Sequence, residues 1–186
     1  MIDRLLYVTL AVWAAFELGL RVVETAQHRG GIARDRGTRV VIALAVGGAV
    51  ALALVFRAHV PSARVPAALR AVGLAVMWCG LVVRAWAVIT LGRAFRTTVE
   101  VDTDQLVITS GPYGYVRHPS YTGLLLIIAG TGLAVGNWLG VAACVLLPLP
   151  ALVLRIRVEE GELVRVLGEP YRSYQARTKR LVPAVW

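Results

Sequence analysis

Two polar clusters interrupt a chain that is otherwise strongly apolar, and each stands at the edge of an uncharged stretch. The first is SGPYGYVRHPSYTGLL, residues 110 to 125, where Arg117 and His118 directly precede Pro119. A proline fits the first turn of a helix, where its missing N–H costs nothing, and it pushes the preceding residue out of helical geometry. His118 is therefore expected to be held extended at the mouth of a helix. The free N–H groups and positive dipole end of that helix attract a carboxylate or phosphate, and Arg117 and His118 would add donors beside them. Interfacial anchoring explains the same residues equally well, and the local pattern does not separate the two readings.

The second cluster is Arg155, Arg157, Glu159, Glu160 and Glu162. Arg155 and Glu159 are four residues apart and share one helical face. An exposed pair at that spacing contributes only about 0.3 to 0.5 kcal/mol, so stability is a weak reason for it. The plain alternative is a snorkelling arginine beside a solvated acidic group. A third set, Glu17, Arg21 and Glu24, lies inside an apolar run at spacings of three and four. Ionisable groups at membrane depth face a bundle interior, and pairing between helices, with Arg84 as a partner, is the favoured reading over substrate binding. Glu100, Asp102 and Asp104 read as a solvated loop face. Cys79 and Cys144 have no metal-like spacing and are expected to be small buried residues.

The elements that must position these residues are membrane helices. At 186 residues with 58% hydrophobic content the chain is one compact unit, more apolar than a soluble domain of its size. Residues 40 to 56 and 119 to 154 carry no charge. A span needs roughly 17 to 25 apolar residues, so the longer stretch makes two short spans turning at Gly136-Asn137. The expected architecture is all-α, an integral membrane protein with about five transmembrane helices near 5–26, 39–58, 67–90, 119–136 and 138–156. It forms a single membrane domain, with three spans in residues 1–90 and the chemistry in 91–186. The first apolar run lacks a basic leader and a small-residue cleavage site, so it reads as a retained span. The net charge of +9 sits on arginines scattered through short loops. That pattern disfavours nucleic acid and suits lipid headgroups and cytoplasmic loops. Arg29, Arg34, Arg36, Arg39, Arg93, Arg96 and Arg117 favour an N-out, C-in orientation, against which the loop with Arg57, Arg64 and Arg70 argues.

Read together, SGPYGYVRHPSYTG and, about 30 residues later, RIRVEEGELVRVLGEPYRSYQARTKRLVP resemble the C-terminal half of the isoprenylcysteine carboxyl methyltransferases and their relatives, a superfamily that includes phospholipid N-methyltransferases. The resemblance covers roughly residues 91 to 183. It implies a membrane enzyme that binds S-adenosylmethionine in a cytosol-facing pocket without a Rossmann fold, and that methylates a lipophilic or prenylated substrate entering from the bilayer. Carried over by position, the cofactor pocket would include Gln105, Leu106, Val107 and Ile108, then Tyr113, then His118, Pro119, Ser120 and Tyr121, and Glu159. Arg155 matches the residue that holds the substrate carboxylate. Gly161 interrupts the acidic run after Glu160, so Glu159 and Glu160 both stand as candidates to meet the cofactor.

Chemistry favours a carboxylate acceptor. Methyl transfer is an in-line displacement that depends on alignment, and a carboxylate is already deprotonated at neutral pH, so no general base is required. Arginine suits a carboxylate through two parallel hydrogen bonds, whereas an amine or thiol acceptor would have to lose a proton to a nearby acid. Competing readings are a phospholipid, amine or thiol methyltransferase, an NADPH-dependent membrane sterol or enone reductase, and a non-enzymatic membrane scaffold. The alanine-, valine- and arginine-rich composition points to a bacterial cytoplasmic membrane.

Overall fold

The computed structural model describes residues 1–27, 37–92, 107–183 and 185–186, with residues 24–27 as backbone only. The described residues form helices α1 (Ile2–Gln27), α2 (Thr38–His59), α3 (Ala67–Leu91), α4 (Pro119–Val135), α5 (Trp138–Leu146), α6 (Pro148–Leu167) and α7 (Glu169–Arg177). Helices are what an apolar chain must form in lipid, where no water satisfies backbone N–H and C=O groups. α1, α2, α3 and the joined stretch Trp138–Leu167 are long and apolar enough to cross a membrane, and α4 is a shorter apolar helix.

Local signals set the ends of these helices. α2 stops two residues before Pro61, α3 begins after Pro66, and Gly92, Gly136 and Gly168 take positive φ at the ends of α3, α4 and α6. At the expected turn, Asn137 Oδ1 accepts from Leu139 N (2.9 Å) and Gly140 N (3.3 Å), which caps α5. Its Nδ2 donates to Phe56 O (3.0 Å) and Val60 O (2.9 Å) and so ties the hairpin to the end of α2.

The fifth span differs from expectation. It breaks at Pro148, which opens α6 after Leu147, and it continues to Leu167 instead of ending near 156. Nothing in the sequence stops the helix until Gly168. Its 30 residues extend about 45 Å at 1.5 Å per residue, beyond the roughly 30 Å hydrocarbon core, so the last turns of α6 leave it. The β-branched stretch before Pro112 is irregular where described, and Gly111–Gly114 is a 3-10 turn.

α3 and α4 form the tightest pair, with glycines seven residues apart on each helix. A Cβ on Gly80 would lie 2.6 Å from Gly123 O, and one on Gly73 would lie 2.8 Å from Gly130 O. Small residues let two backbones touch where lipid supplies no hydrophobic drive for association. Ile127, Ile128, Met77 and Leu152 are fully buried around this seam. Leu18, Val22, Leu44 and Val82 remain exposed, as faces turned to lipid do. Cys144 is buried as expected, but Cys79 lies on the exposed side of α3, a correction to the sequence reading.

Gly123→Leu is expected to lower the Tm in detergent sharply, since overpacking a close crossing costs typically 1–3 kcal/mol or more. Gly47→Leu, on open surface of α2, is the control. Equal melting of the two variants would refute the close seam.

Candidate active site

His118 is the N-cap of α4, with φ −124° and ψ 57°, and Pro119 opens the helix, so the proline has kept His118 out of helical geometry. A strand-like strap holds this entrance, with Arg117 N donating to Lys179 O (2.8 Å) and His118 N to Arg180 O (3.0 Å). Thr122 Oγ1 adds a bond to Leu181 O (2.8 Å). Beneath it lies the α6 carboxylate Glu160, 5% exposed. It accepts from Arg117 Nε (2.8 Å) and Arg180 Nε (2.9 Å), and His118 Nε2 lies 3.3 Å away. Arg117 also donates to Gln175 O (3.1 Å) and Thr178 O. It therefore locks the C-terminal segment and does not add a donor at the mouth of α4, contrary to expectation.

Glu159 sits differently. Its side chain keeps 29% exposure. Tyr121 Oη donates to its Oε2 (2.6 Å), and its other oxygen lies 3.9 Å from His118 Nδ1. The Tyr121 ring stacks on His118 at 5.6 Å. Arg155 lies one turn earlier on α6, 2% exposed, with Nε donating to Tyr121 Oη (3.1 Å) and an Nη donating to Thr38 Oγ1 (2.9 Å) at the start of α2. Arg155 and Glu159 share a face as their spacing predicts, at 4.0 Å. The Tyr121 hydroxyl joins them.

A second buried network fixes the first turn of α4. Arg84 grips both oxygens of Glu17 (2.6 and 2.9 Å) and donates to Ser120 Oγ (2.7 Å) and Ser120 O (3.1 Å), so α1, α3 and α4 meet at one guanidinium. The expected Glu17–Arg84 pairing is therefore present. Among the described residues the Ser120 N–H meets no acceptor, which leaves a buried donor at the helix N-terminus.

Tyr113 is buried in the 3-10 turn. Its hydroxyl donates to Ala87 O (3.4 Å), and its carbonyl accepts from Tyr174 Oη (2.7 Å). Burial, with Glu159 adding, holds the Tyr113 hydroxyl well above the usual phenol range, and burial pushes Tyr174 up to about 12. Both stay neutral at pH 7 and act as hydrogen-bonding aromatic walls. Val107 and Ile108 are half-buried in the segment leading into that turn, whereas Gln105 and Leu106 lie outside the described residues, as do Glu100, Asp102 and Asp104. No metal-holding group occurs among the described residues.

The structure thus brings His118, Pro119, Ser120, Tyr121, Arg155 and Glu159 to one place, with Tyr113 alongside. Sequence reading missed Thr38, because a threonine opening an apolar helix looks like an ordinary helix start. It also missed Arg180 as a ligand of Glu160, since a basic tail offers no spacing signal toward a residue on another element. The arrangement offers a partly open carboxylate, a helix N-terminus with a free donor, and a buried arginine, and can therefore bind a small ligand carrying both charges beside a second, anionic one.

The model of the isoprenylcysteine carboxyl methyltransferase (ICMT) family matches residues 71–165. The protein-S-isoprenylcysteine O-methyltransferase of Schizosaccharomyces pombe is 31% identical over 114 residues, which is 60% of this chain and 48% of that protein. The Tribolium castaneum protein of the same description is 32% identical over 116 residues, covering 61% of this chain and 41% of the relative. The chain spans about half the length of these curated relatives. A solved structure of the eukaryotic intramembrane Ras methyltransferase ICMT matches with a TM-score of 0.63 and 26% identity, over 77% of this chain and 52% of that one.

Glu160→Ala leaves two arginines and a histidine without their shared acceptor. Breaking a buried ion pair on one side costs about 3–5 kcal/mol, so a large loss of Tm in detergent is expected. Glu159→Ala removes a partly exposed carboxylate whose hydrogen-bond donor among the described residues is the neutral Tyr121 hydroxyl, and is expected to melt close to wild type. The reverse order of the two melting points would show that the clamp is centred elsewhere.

Proposed function

The chain belongs to the isoprenylcysteine carboxyl methyltransferase family, and on that premise we propose that it transfers a methyl group from S-adenosylmethionine to the carboxylate of a lipophilic acceptor drawn from the bilayer, an isoprenylcysteine or a similar lipophilic acid. The observation that carries this reading is the division of labour between adjacent glutamates. Glu160 is saturated by Arg117, Arg180 and His118, while Glu159 stays partly exposed, with one oxygen bonded by Tyr121 and the other 3.9 Å from His118 Nδ1.

The residues present fit the cofactor. Its ammonium needs a carboxylate, which Glu159 offers. Its carboxylate needs donors without partners, and the Ser120 N–H at the positive end of α4 is one. Tyr113 and Tyr121 supply aromatic wall, and Val107 and Ile108, with Gln105 and Leu106 before them, are assigned to its remaining part. When bound, S-adenosylmethionine supplies an electrophilic methyl group on a sulfonium.

Arg155 is assigned to the acceptor. Thr38 and Tyr121 hold its guanidinium from two sides, so the fork is oriented for a carboxylate at little entropic cost. Because Tyr121 accepts from Arg155 and donates to Glu159, one hydroxyl sets the spacing between the acceptor and cofactor subsites. A carboxylate acceptor has no proton to lose. An amine would need a base, yet among the described residues Glu160 and Glu17 are held in ion pairs and Glu159 is assigned to the cofactor's ammonium. This supports O-methylation over the amine alternative. The protein is an integral membrane enzyme in this reading, with residues 91–186 as its catalytic half. The site's end of the bundle also carries exposed Arg157, Arg165, Arg172, Arg177 and Lys179, which supports a cytoplasm-facing site in a bacterial membrane.

Calorimetry with the detergent-purified protein is expected to show S-adenosylmethionine binding, weakened about 100-fold or more by Glu159→Gln, as expected for losing one partner of a charged pair. Arg155→Ala is expected to leave that binding within about threefold while lowering kcat/KM for a prenylated cysteine carboxylate about 100-fold, and Thr38→Val about tenfold. Transfer of radiolabelled methyl to amine lipids alone, or binding of NADPH in place of S-adenosylmethionine, would overturn the reading.

A further inference from the structure

The end of the bundle opposite this site holds a second charged cluster. A cleft of about 280 Å³ is lined by Arg57, Arg64, Val65, Arg70 and Gly136, where the ends of α2 and α4 meet the start of α3. Three guanidiniums at one cleft repel one another unless anions balance them. Among the described residues the balance is incomplete, because the carboxylate found there, Asp3, is half-exposed and shared between Arg57 (3.0 Å) and Arg70.

Arg57 and Arg70 have a further structural use. They donate to the last carbonyls of α4, Arg70 Nε to Ala134 O (2.9 Å) and Arg57 to Val135 O, where the helix dipole favours cations. This gives a structural use to two of the three arginines in the loop that argues against an N-out, C-in orientation. Capping does not account for Arg64. Its backbone is pinned, through a bridge to Asn137 and the bond from Val65 N to Gly136 O (3.0 Å), yet its guanidinium has no acceptor among the described residues. Gly136 keeps the cleft formed. It has φ +97°, and a Cβ there would lie 2.7 Å from Arg70 Nε and 3.2 Å from an Arg57 Nη.

We propose that Arg57, Arg64 and Arg70 form a binding site for a phosphate-bearing anion, and that the headgroup of an anionic phospholipid is its occupant. Forked guanidiniums are suited to phosphate oxygens. The cleft, at the small end of the roughly 300–1,000 Å³ range of ligand pockets, has room for a glycerophosphate headgroup. Its membrane-surface position is marked by half-exposed Trp138, one residue past Asn137, a side chain that favours the headgroup layer. Basic pockets between membrane helices can hold anionic phospholipid headgroups, and the chemistry of that contact is the same at either membrane surface.

The test is native mass spectrometry and thermal melting of the full chain in detergent with phosphatidylglycerol or phosphatidylcholine added. The wild type is expected to retain phosphatidylglycerol about tenfold more strongly than phosphatidylcholine, and Arg64→Gln to lose that preference. Arg4→Gln, which removes another exposed positive charge from the same end, is expected to keep it. Competition by soluble glycerol phosphate would identify the phosphate alone as the recognised group, and failure to compete would assign recognition to the intact lipid. No preference in the wild type, or equal losses in Arg4→Gln and Arg64→Gln, would reduce the cluster to general surface charge and overturn the site. Neither result touches methyl transfer at the other end.

Discussion

Backbone contact between α3 and α4 is the constraint on which the other positions depend. Where Gly80 meets Gly123, no side chain separates the two helices, so the next charged residue along α3, Arg84, arrives within reach of the first turn of α4. A wider crossing would leave its guanidinium short of Ser120 and would strand Glu17 on α1 with an unpaired charge inside the bundle. Packing and electrostatics are therefore one feature here. The glycines fix the separation, and the separation makes a buried ion pair affordable.

From that fixed helix mouth the site is built by opposing uses of similar groups. Two glutamates one residue apart on α6 point to different partners because successive helical positions are about 100° apart. One becomes the hub of a cationic clamp that fastens the C-terminal segment, and the other looks toward open space with a tyrosine as its main restraint. The arginines divide in the same way, since Arg117 and Arg180 fasten the C-terminal segment whereas Arg155 donates to the neutral hydroxyls of Thr38 and Tyr121. A neutral hydroxyl orients a guanidinium without cancelling its charge.

Much of this was legible in the sequence, for identifiable reasons. The spans, the Gly136-Asn137 turn and the helix start at Pro119 follow from local rules on charge, proline and glycine, and those rules hold in lipid as they do in water. The i, i+4 face of Arg155 and Glu159 and the Glu17–Arg84 pair were also readable, because few ionisable groups lie at that depth. What stayed hidden depended on distances between elements. Nothing in the spacing says that Arg117 turns away from its own helix toward Glu160, or that Thr38 meets Arg155 across 117 positions of sequence. The overlong fifth span was missed because the uncharged window ends at Leu154, while the helix itself ends where a glycine permits it.

The strap at Lys179 to Leu181 also orders events during synthesis. The helices α1 to α6, and both glutamates, are synthesised before the residues that close over His118. At about 5–20 residues per second, a nascent chain that has reached Leu167 needs on the order of a second more to produce the strap. During that interval Glu160 lacks Arg180, and the backbone of Arg117 and His118 lacks its partners. The helices are thus made first and the strap that closes their chemical end last, so a chain cut short before Lys179 would carry the site without its seal.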